Sequence, residues 1–350
     1  MDLTEQIKEL RKSGRIEVSA VSGYNYYLVP RELCVGERIP VALHRESGAV
    51  YWMHPGPVVD RSQAREQVQW YRDFILKPAP KRWLQWPVDM VRINVDEFPD
   101  TPQQLYFVFP VRAMPELEPI KKLLYVNKRH DILDWRTDLI RKTVCSFLQA
   151  VDAVHEAGYS YNDFNIRRIG WDQSTGRVYL FYNDAVRKRG NDDVRNVLDP
   201  AITATEFAPS FEGVDRDLYA VAAILFRLMI GRLPYQGWQI ENNTHVFDHN
   251  YYDLDREEAY RTYFERYHAS SCFVFDPDDD TNRLSPGSED DQPRERWEKL
   301  PGRIRDMFLS ALAYTAPARR DKMVLYTPRQ WLTALERCCW KKDEGDRSDE

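Results

Sequence analysis

Apolar and polar positions follow two different rhythms along this chain. From residue 16 to about residue 54 the period is short. Tyr24-Asn-Tyr-Tyr-Leu-Val29, Ile39-Pro-Val-Ala-Leu-His44 and Ala49-Val-Tyr-Trp-Met-His54 are β-branched or aromatic runs bounded by Gly, Pro and Ser-Gly turns, and they predict strands. Leu105-Tyr-Phe-Val-Phe-Pro110 predicts another strand, which leads into a Pro-punctuated linker. Helical spacing interrupts this region twice. Residues 3–12 alternate apolar and charged positions, and a helix is expected from Asp60, a plausible N-cap, to the stop at Pro78 and Pro80. Beyond residue 113 the period lengthens. Leu139, Ile140, Val144, Phe147, Leu148, Val151 and Val154 form an apolar stripe within an expected helix from Thr137 to Ala157. Leu218–Ile230 is apolar nearly all round, the pattern of a fully buried helix, and Gly231 stops it. Ile304–Tyr314 and Pro328–Cys339 complete the expected helices. Between them, residues 238–301 read as an aromatic and acidic insert with a helix near residues 256–267 and loops elsewhere.

Composition adds bounds. A chain of 350 residues with 43% apolar content can build one large domain or two lobes. A net charge of −6 argues against nucleic-acid binding, and no apolar run reaches the length of a membrane span. The charged N-terminus lacks the apolar core of a signal peptide. Cys34, Cys145, Cys272, Cys338 and Cys339 show no metal spacing, and the neighbours Cys338 and Cys339 read as helix packing rather than redox chemistry. A reducing cytoplasm fits. The acidic stretch Asp276-Pro-Asp-Asp-Asp280 lacks the glycine and terminal Glu of a calcium loop and reads as a solvated loop or a packing block.

Chemistry enters at Val151-Asp-Ala-Val-His155-Glu-Ala-Gly158-Tyr-Ser-Tyr161-Asn162-Asp163-Phe-Asn165, followed by Arg168 and Val178-Tyr-Leu-Phe-Tyr182-Asn183-Asp184. This order resembles the catalytic core of a protein kinase. Ala208-Pro209-Ser210, Asp217-Leu-Tyr and Ala316-Pro-Ala-Arg319-Arg320 resemble later markers of that fold. More narrowly, Asn162-Asp163-Phe164-Asn165, Trp86-Pro87 and Phe273-Val-Phe-Asp276-Pro277 with Trp297 and Phe308 resemble a bacterial kinase-like family found with phosphatase and von Willebrand A-type partners. The resemblance implies an α+β, bilobal protein kinase-like fold. Its expected parts are an N-terminal helix over residues 1–15, a strand-rich N-lobe over 16–112, a helical C-lobe over 113–340 carrying the insert, and a disordered tail over 341–350.

The same resemblance assigns roles, and several required groups are replaced. Phosphoryl transfer needs positive charge and metal placed around a nucleotide phosphate. The strand Lys is missing: its place falls to Met53 or His54, or to His44 in an alternative register. A His is shorter and largely neutral at pH 7, so it replaces that charge poorly. Glu66 stands where the Lys partner would be. Asp163 holds the catalytic-base position, and Asn165 replaces the loop Lys. Arg168 stands where a metal-binding Asn is expected, and a guanidinium offers no acceptor to a hard cation. Tyr182 replaces the metal-binding Asp, with Asp184 two residues later. Phe109 and Val111 mark the remnant nucleotide cleft at the hinge. Ser210 replaces the Glu that pairs with a late Arg such as Arg320, and Asp217 is expected to hold the catalytic-loop backbone. Together these imply a pseudokinase with no metal and no cofactor, acting as a scaffold or allosteric partner of a phosphatase or von Willebrand A-type protein. The alternative is an atypical ATP-dependent Ser/Thr kinase or nucleotidyl transferase, using Asp163 and Asp184 with Mg or Mn.

Overall fold

The computed structural model describes residues 17–28, 41–47, 49–59, 69, 72–73, 84–93, 103–110, 118–120, 123, 134–162, 164, 169–181, 186–189, 213–235, 237–238, 272–284, 287, 291–313 and 323–340. The chain divides into two units. One comprises residues 1–116 with 181–184, and the other comprises 117–180 with 185–350. The expected N-terminal helix and C-terminal tail lie outside the described residues.

The first unit is built on strands β1 (Glu17–Ser19), β2 (Asn25–Leu28), β3 (Val41–His44), β4 (Val50–Val59), β5 (Leu84–Gln85), β6 (Asp89–Ile93) and β7 (Gln103–Pro110). Six of them form an antiparallel sheet in the order β1-β2-β3-β4-β7-β6. That sheet closes on itself. Past the end of β1, Ala20 bridges Val91 of β6, and Val21 N donates to Met90 O at 2.9 Å. This single bridge brings the two edge strands together and gives the alternating side chains an interior. Val18, Ala20, Tyr26, Met53, Val91 and Val108 fill it.

β4 runs well beyond the expected strand end at His54, through Pro55-Gly-Pro to Val59, with a register shift between Pro55 and Val58. A bulge accommodates prolines that a regular ladder would not. β6 is a strand that local pattern did not predict.

The second unit carries β8 (Glu118–Pro119), α1 (Asp138–Glu156), β9 (Tyr159–Ser160), β10 (Ile169–Trp171), β11 (Val178–Phe181), β12 (Arg187–Lys188), α2 (Gly213–Ile230), α3 (Asp291–Lys299), α4 (Gly302–Leu312) and α5 (Pro328–Cys338). Thr137 caps α1, its side chain accepting from Ile140 N. Thr327 and Gln330 form a reciprocal capping box at the start of α5. β10 lies between β8 and β11, antiparallel to both. The β10–β11 hairpin sits on α1: Trp171 Nε1 donates to Thr143 Oγ1 at 3.2 Å, and Val178 N donates to Ser146 Oγ at 2.9 Å.

α2 is buried without interruption from Asp217 to Ile230. Phe226 at its centre meets Phe273 at 5.2 Å and Phe308 at 5.4 Å, and Phe275 stacks on Trp297 at 4.5 Å. The aromatic motif expected in the insert therefore packs against the buried helix, where such pairs add to simple area burial.

Two expectations for this unit need correction. Residues 291–299, expected as loop, form α3, which is polar except for the buried Pro293 and Trp297. Cys338, expected to pack, is exposed, while Cys339 is half-buried. Among the described residues no helix is long and apolar enough to cross a membrane.

Candidate functional site

The site is built where α1, β9 and α2 meet. α1 ends at Glu156, and Gly158 follows in the left-handed region with φ +83°, its N–H donating to His155 O at 3.0 Å. Glycine takes that conformation without Cβ strain, so the chain reverses sharply into β9. β9 pairs antiparallel with β12, Tyr159 opposite Lys188 and Ser160 opposite Arg187. The next two residues, Tyr161 and Asn162, are both buried.

Asp217, in the second turn of α2, is fully buried and gathers three donors. Oδ2 accepts from Tyr161 N at 2.6 Å and pairs with His155 Nε2 at 2.9 Å. Oδ1 accepts from Asn162 N at 2.7 Å. A carboxylate offers about four lone-pair sites, and a buried one is tolerated only when they are used. Asp217 thus ties the end of α1 and the loop after β9 to α2, using groups of this chain alone.

Asn162 is the one described non-glycine residue with positive φ, at +63°. Its Nδ2 donates to Ser160 Oγ at 2.8 Å. Asn is among the few residues that adopt this conformation readily, because its short amide bonds locally. Phe164 packs on Tyr161 at 4.8 Å and on Phe147 of α1 at 6.0 Å, which seals the apolar side of the turn.

The resemblance also marked Asp163, Asn165, Arg168, Tyr182, Asp184, Glu66, Val111, Ser210 and Arg320, and all of these lie outside the described residues. Arg319 does too. Met53, Phe109 and His44 are described, together with the backbone of His54 on β4. Met53 pairs with Val108 of β7 and has no exposed surface, because its side chain belongs to the barrel interior. Phe109, beside it on β7, is buried and pairs with Trp52.

His44, at the end of β3, is ringed by aromatics. Its ring centre lies 4.9 Å from that of Tyr24 and 5.5 Å from that of Tyr26. Ser47 N donates to its Nδ1 at 3.1 Å.

One node escaped the sequence reading. Asp89 at the start of β6 is buried inside the first unit. Its carboxylate accepts from Tyr26 Oη at 3.0 Å, Ser22 N at 3.2 Å and its neighbour Met90 N at 2.8 Å, and also from Ser22 Oγ. These bonds fasten the seam where the sheet closes. Burial and the adjacent Asp89 carboxylate push the Tyr26 phenol well above its ordinary value. The available signal was a lone Asp in the apolar run Trp86-Pro-Val-Asp-Met-Val91.

In the acidic stretch, Asp276 accepts from Asp278 N at 3.0 Å, and Asp279 accepts from Thr281 N at 3.0 Å. These are local Asx turns. Among the described residues no group of three His, Cys, Asp or Glu is placed to hold a metal ion.

No protein-family model matches the chain, and no curated protein matches it. Solved structures do. ROP2 of Toxoplasma gondii, described as a virulence factor with a protein-kinase fold and no enzymatic activity, is 14% identical with a TM-score of 0.46. The match covers 92% of this chain and 84% of that one. A rhoptry kinase from the same organism is 14% identical with a TM-score of 0.47, over 92% of this chain and 80% of its own. The likeness is one of fold, and no activity passes from those proteins to this chain.

Proposed function

We propose that the chain is a pseudokinase that acts by binding, as a scaffold or allosteric partner in signalling, and that it needs neither nucleotide nor metal to hold its loop. The observation that carries this reading is the fully buried Asp217. Its carboxylate fixes Tyr161 and Asn162 with hydrogen bonds from within the chain. The sequence adds that the chemical positions next to this frame are altered together: Arg168 for a metal-binding Asn, Tyr182 for a metal-binding Asp, and no Lys at Met53 or His44. Groups that act as a unit lose nearly all their effect when one is removed. A phosphatase or a von Willebrand A-type protein is the partner class the resemblance favours. A reducing compartment such as the cytoplasm suits the free thiols of Cys145, Cys272, Cys338 and Cys339.

Thermal unfolding tests the reading, with ATP alone, ATP plus Mg and ATP plus Mn. A ligand at one hundred times its Kd stabilises a fold by about 2.7 kcal/mol, which reads as a rise of a few degrees. The expected result is no rise in any condition and no labelled phosphate or nucleotide transferred to protein. A metal-dependent rise that is abolished by Asp163→Asn or Asp184→Asn, together with transfer, would overturn it in favour of an atypical kinase or nucleotidyl transferase.

A further inference from the structure

Three cations follow one another at β12, Arg187, Lys188 and Arg189, in a chain whose carboxylates outnumber its Lys and Arg by 55 to 49. Elsewhere in the second unit basic side chains meet carboxylates: Arg136 meets Asp134, Lys142 meets Asp138, Lys299 meets Glu295 and Arg329 meets Glu156. Lys188 and Arg189 are exposed, and among the described residues neither pairs with a carboxylate. Arg187 is half-buried and donates from Nη1 to Val186 O at 2.9 Å.

The backbone beneath these cations has an outer side. β12 and β9 form a two-stranded sheet. Arg189 N donates to Gly158 O at 3.0 Å, which makes residues 189 and 158 a hydrogen-bonded pair. Bonded and non-bonded pairs alternate along an antiparallel ladder, so Lys188 opposite Tyr159 is a non-bonded pair. The N–H and C=O of Lys188 therefore turn away from β9, toward the side that a further strand would take.

We infer that the outer edge of β12 takes an acidic, extended segment of a protein partner as an added strand. The inference rests on the binding reading above and gives that binding a place and a sign. Lys188 offers the added strand one backbone donor and one acceptor, and the exposed Lys188 and Arg189 side chains meet its carboxylates. Charge chooses the occupant. Cations along an edge repel the same edge of a second copy, and a neutral strand leaves them without partners. A nucleic acid meets the charge but has no strand backbone to pair with Lys188. An acidic strand satisfies both.

The test is fluorescence anisotropy of a labelled ten-residue peptide of alternating Glu and Val, titrated with the full chain. Saturable binding is expected. Lys188→Glu combined with Arg189→Glu should weaken it by at least about 10-fold, and 0.5 M salt should weaken it severalfold. Arg303→Glu, at an exposed cation in the first turn of α4, should leave it unchanged. Lys188→Pro removes an N–H that β9 does not use, so it should spare the fold and weaken binding more than Lys188→Gln does. A fully N-methylated peptide of the same charge should not bind. No binding by the parent chain, equal binding of the N-methylated peptide, indifference to the double charge reversal, or tighter binding of a single-stranded oligonucleotide would overturn the inference. None of these outcomes bears on the response to ATP, so the pseudokinase reading stands or falls separately.

Discussion

Asn162 donates its backbone N–H to Oδ1 of Asp217 at 2.7 Å while holding φ at +63°. Position and conformation are therefore fixed by separate means, and substitution separates them. Asp217→Asn replaces one acceptor oxygen with a donor facing buried N–H groups, and should destabilise the protein by about 3 kcal/mol or more. Asn162→Gly keeps the left-handed turn and loses the bond to Ser160. Asn162→Ala loses both, and should be less stable than Asn162→Gly by about 1 kcal/mol. Urea unfolding of the three variants reads these differences. Equal stability of the Ala and Gly variants would show that the turn carries no conformational cost.

Met53 gives the second expectation. Its fully buried side chain lies among Val18, Ala20, Tyr26, Val91 and Val108. Met53→Lys would place an ammonium among these apolar side chains. The loss should be about 3 kcal/mol or more, or the unit should not fold at all. His44→Lys, at the half-buried end of β3, should cost much less. Chemical denaturation ranks the two. A Met53→Lys protein as stable as the parent, and stabilised further by ATP, would show that this strand still faces a phosphate site.

The helices were legible because an apolar stripe repeats within each of α1, α4 and α5, because α2 is apolar nearly all round, and because Gly231 marks its end. α3 was not, since Pro293 and Trp297 alone face inward and two residues make no stripe. β6 was not, since Pro87 and Asp89 break the apolar alternation, and its place depends on β1 and β7, far away in sequence. Sheet closure is a long-range pairing that no local period encodes. In the site, the kinase-like order pointed to Asp217, and the residue types 161–162 named a loop. The left-handed turn at Asn162 and the shared use of His155 by the same carboxylate depend on three elements meeting, which sequence spacing does not state.

Acid should weaken the second unit through Asp172. Its carboxylate lies in the β10–β11 turn and accepts from Thr175 Oγ1 at 2.6 Å, Ser174 Oγ at 2.7 Å and Ser174 N at 2.9 Å. Burial opposes ionisation there, but these hydrogen bonds together outweigh it and hold the group below its ordinary value. An Asp depressed in the folded state is more easily protonated when unfolded. Its contribution is therefore fully present above about pH 4, the unfolded value, and is lost as pH falls through the lower folded value. Asp172→Asn should flatten the fall of unfolding free energy as pH drops below about 4. It should not abolish it, because Asp134 beside Arg136 and Asp279 beside Thr281 are depressed in the same direction. Parallel pH profiles for parent and variant would remove Asp172 from the account.

Among the described glycines the closest backbone approach is at Gly237. A Cβ built there would lie 1.9 Å from Asn282 O, a backbone atom that cannot swing aside. The approach is held by Asn282, which is fully buried and whose Nδ2 donates to Tyr235 O at 2.8 Å and to Cys272 O at 2.7 Å. Trp238 N donates to Arg283 O at 3.1 Å alongside. One amide thus clamps two stretches of chain that are far apart in sequence, and only a residue without a side chain fits between the clamp and the turn. Gly237→Ala should destabilise the protein by about 4 kcal/mol, at the severe end for a single methyl group, because the strain falls on backbone. Asn282→Ala should relieve no clash and should cost about 1–3 kcal/mol, by removing the buried amide that donates to Tyr235 O and Cys272 O. The two changes act on one contact, so their effects should not add: the double variant should be less destabilised than the sum by about 1 kcal/mol or more. Additive losses in a double-mutant cycle would show that Gly237 is required for some reason other than this clamp.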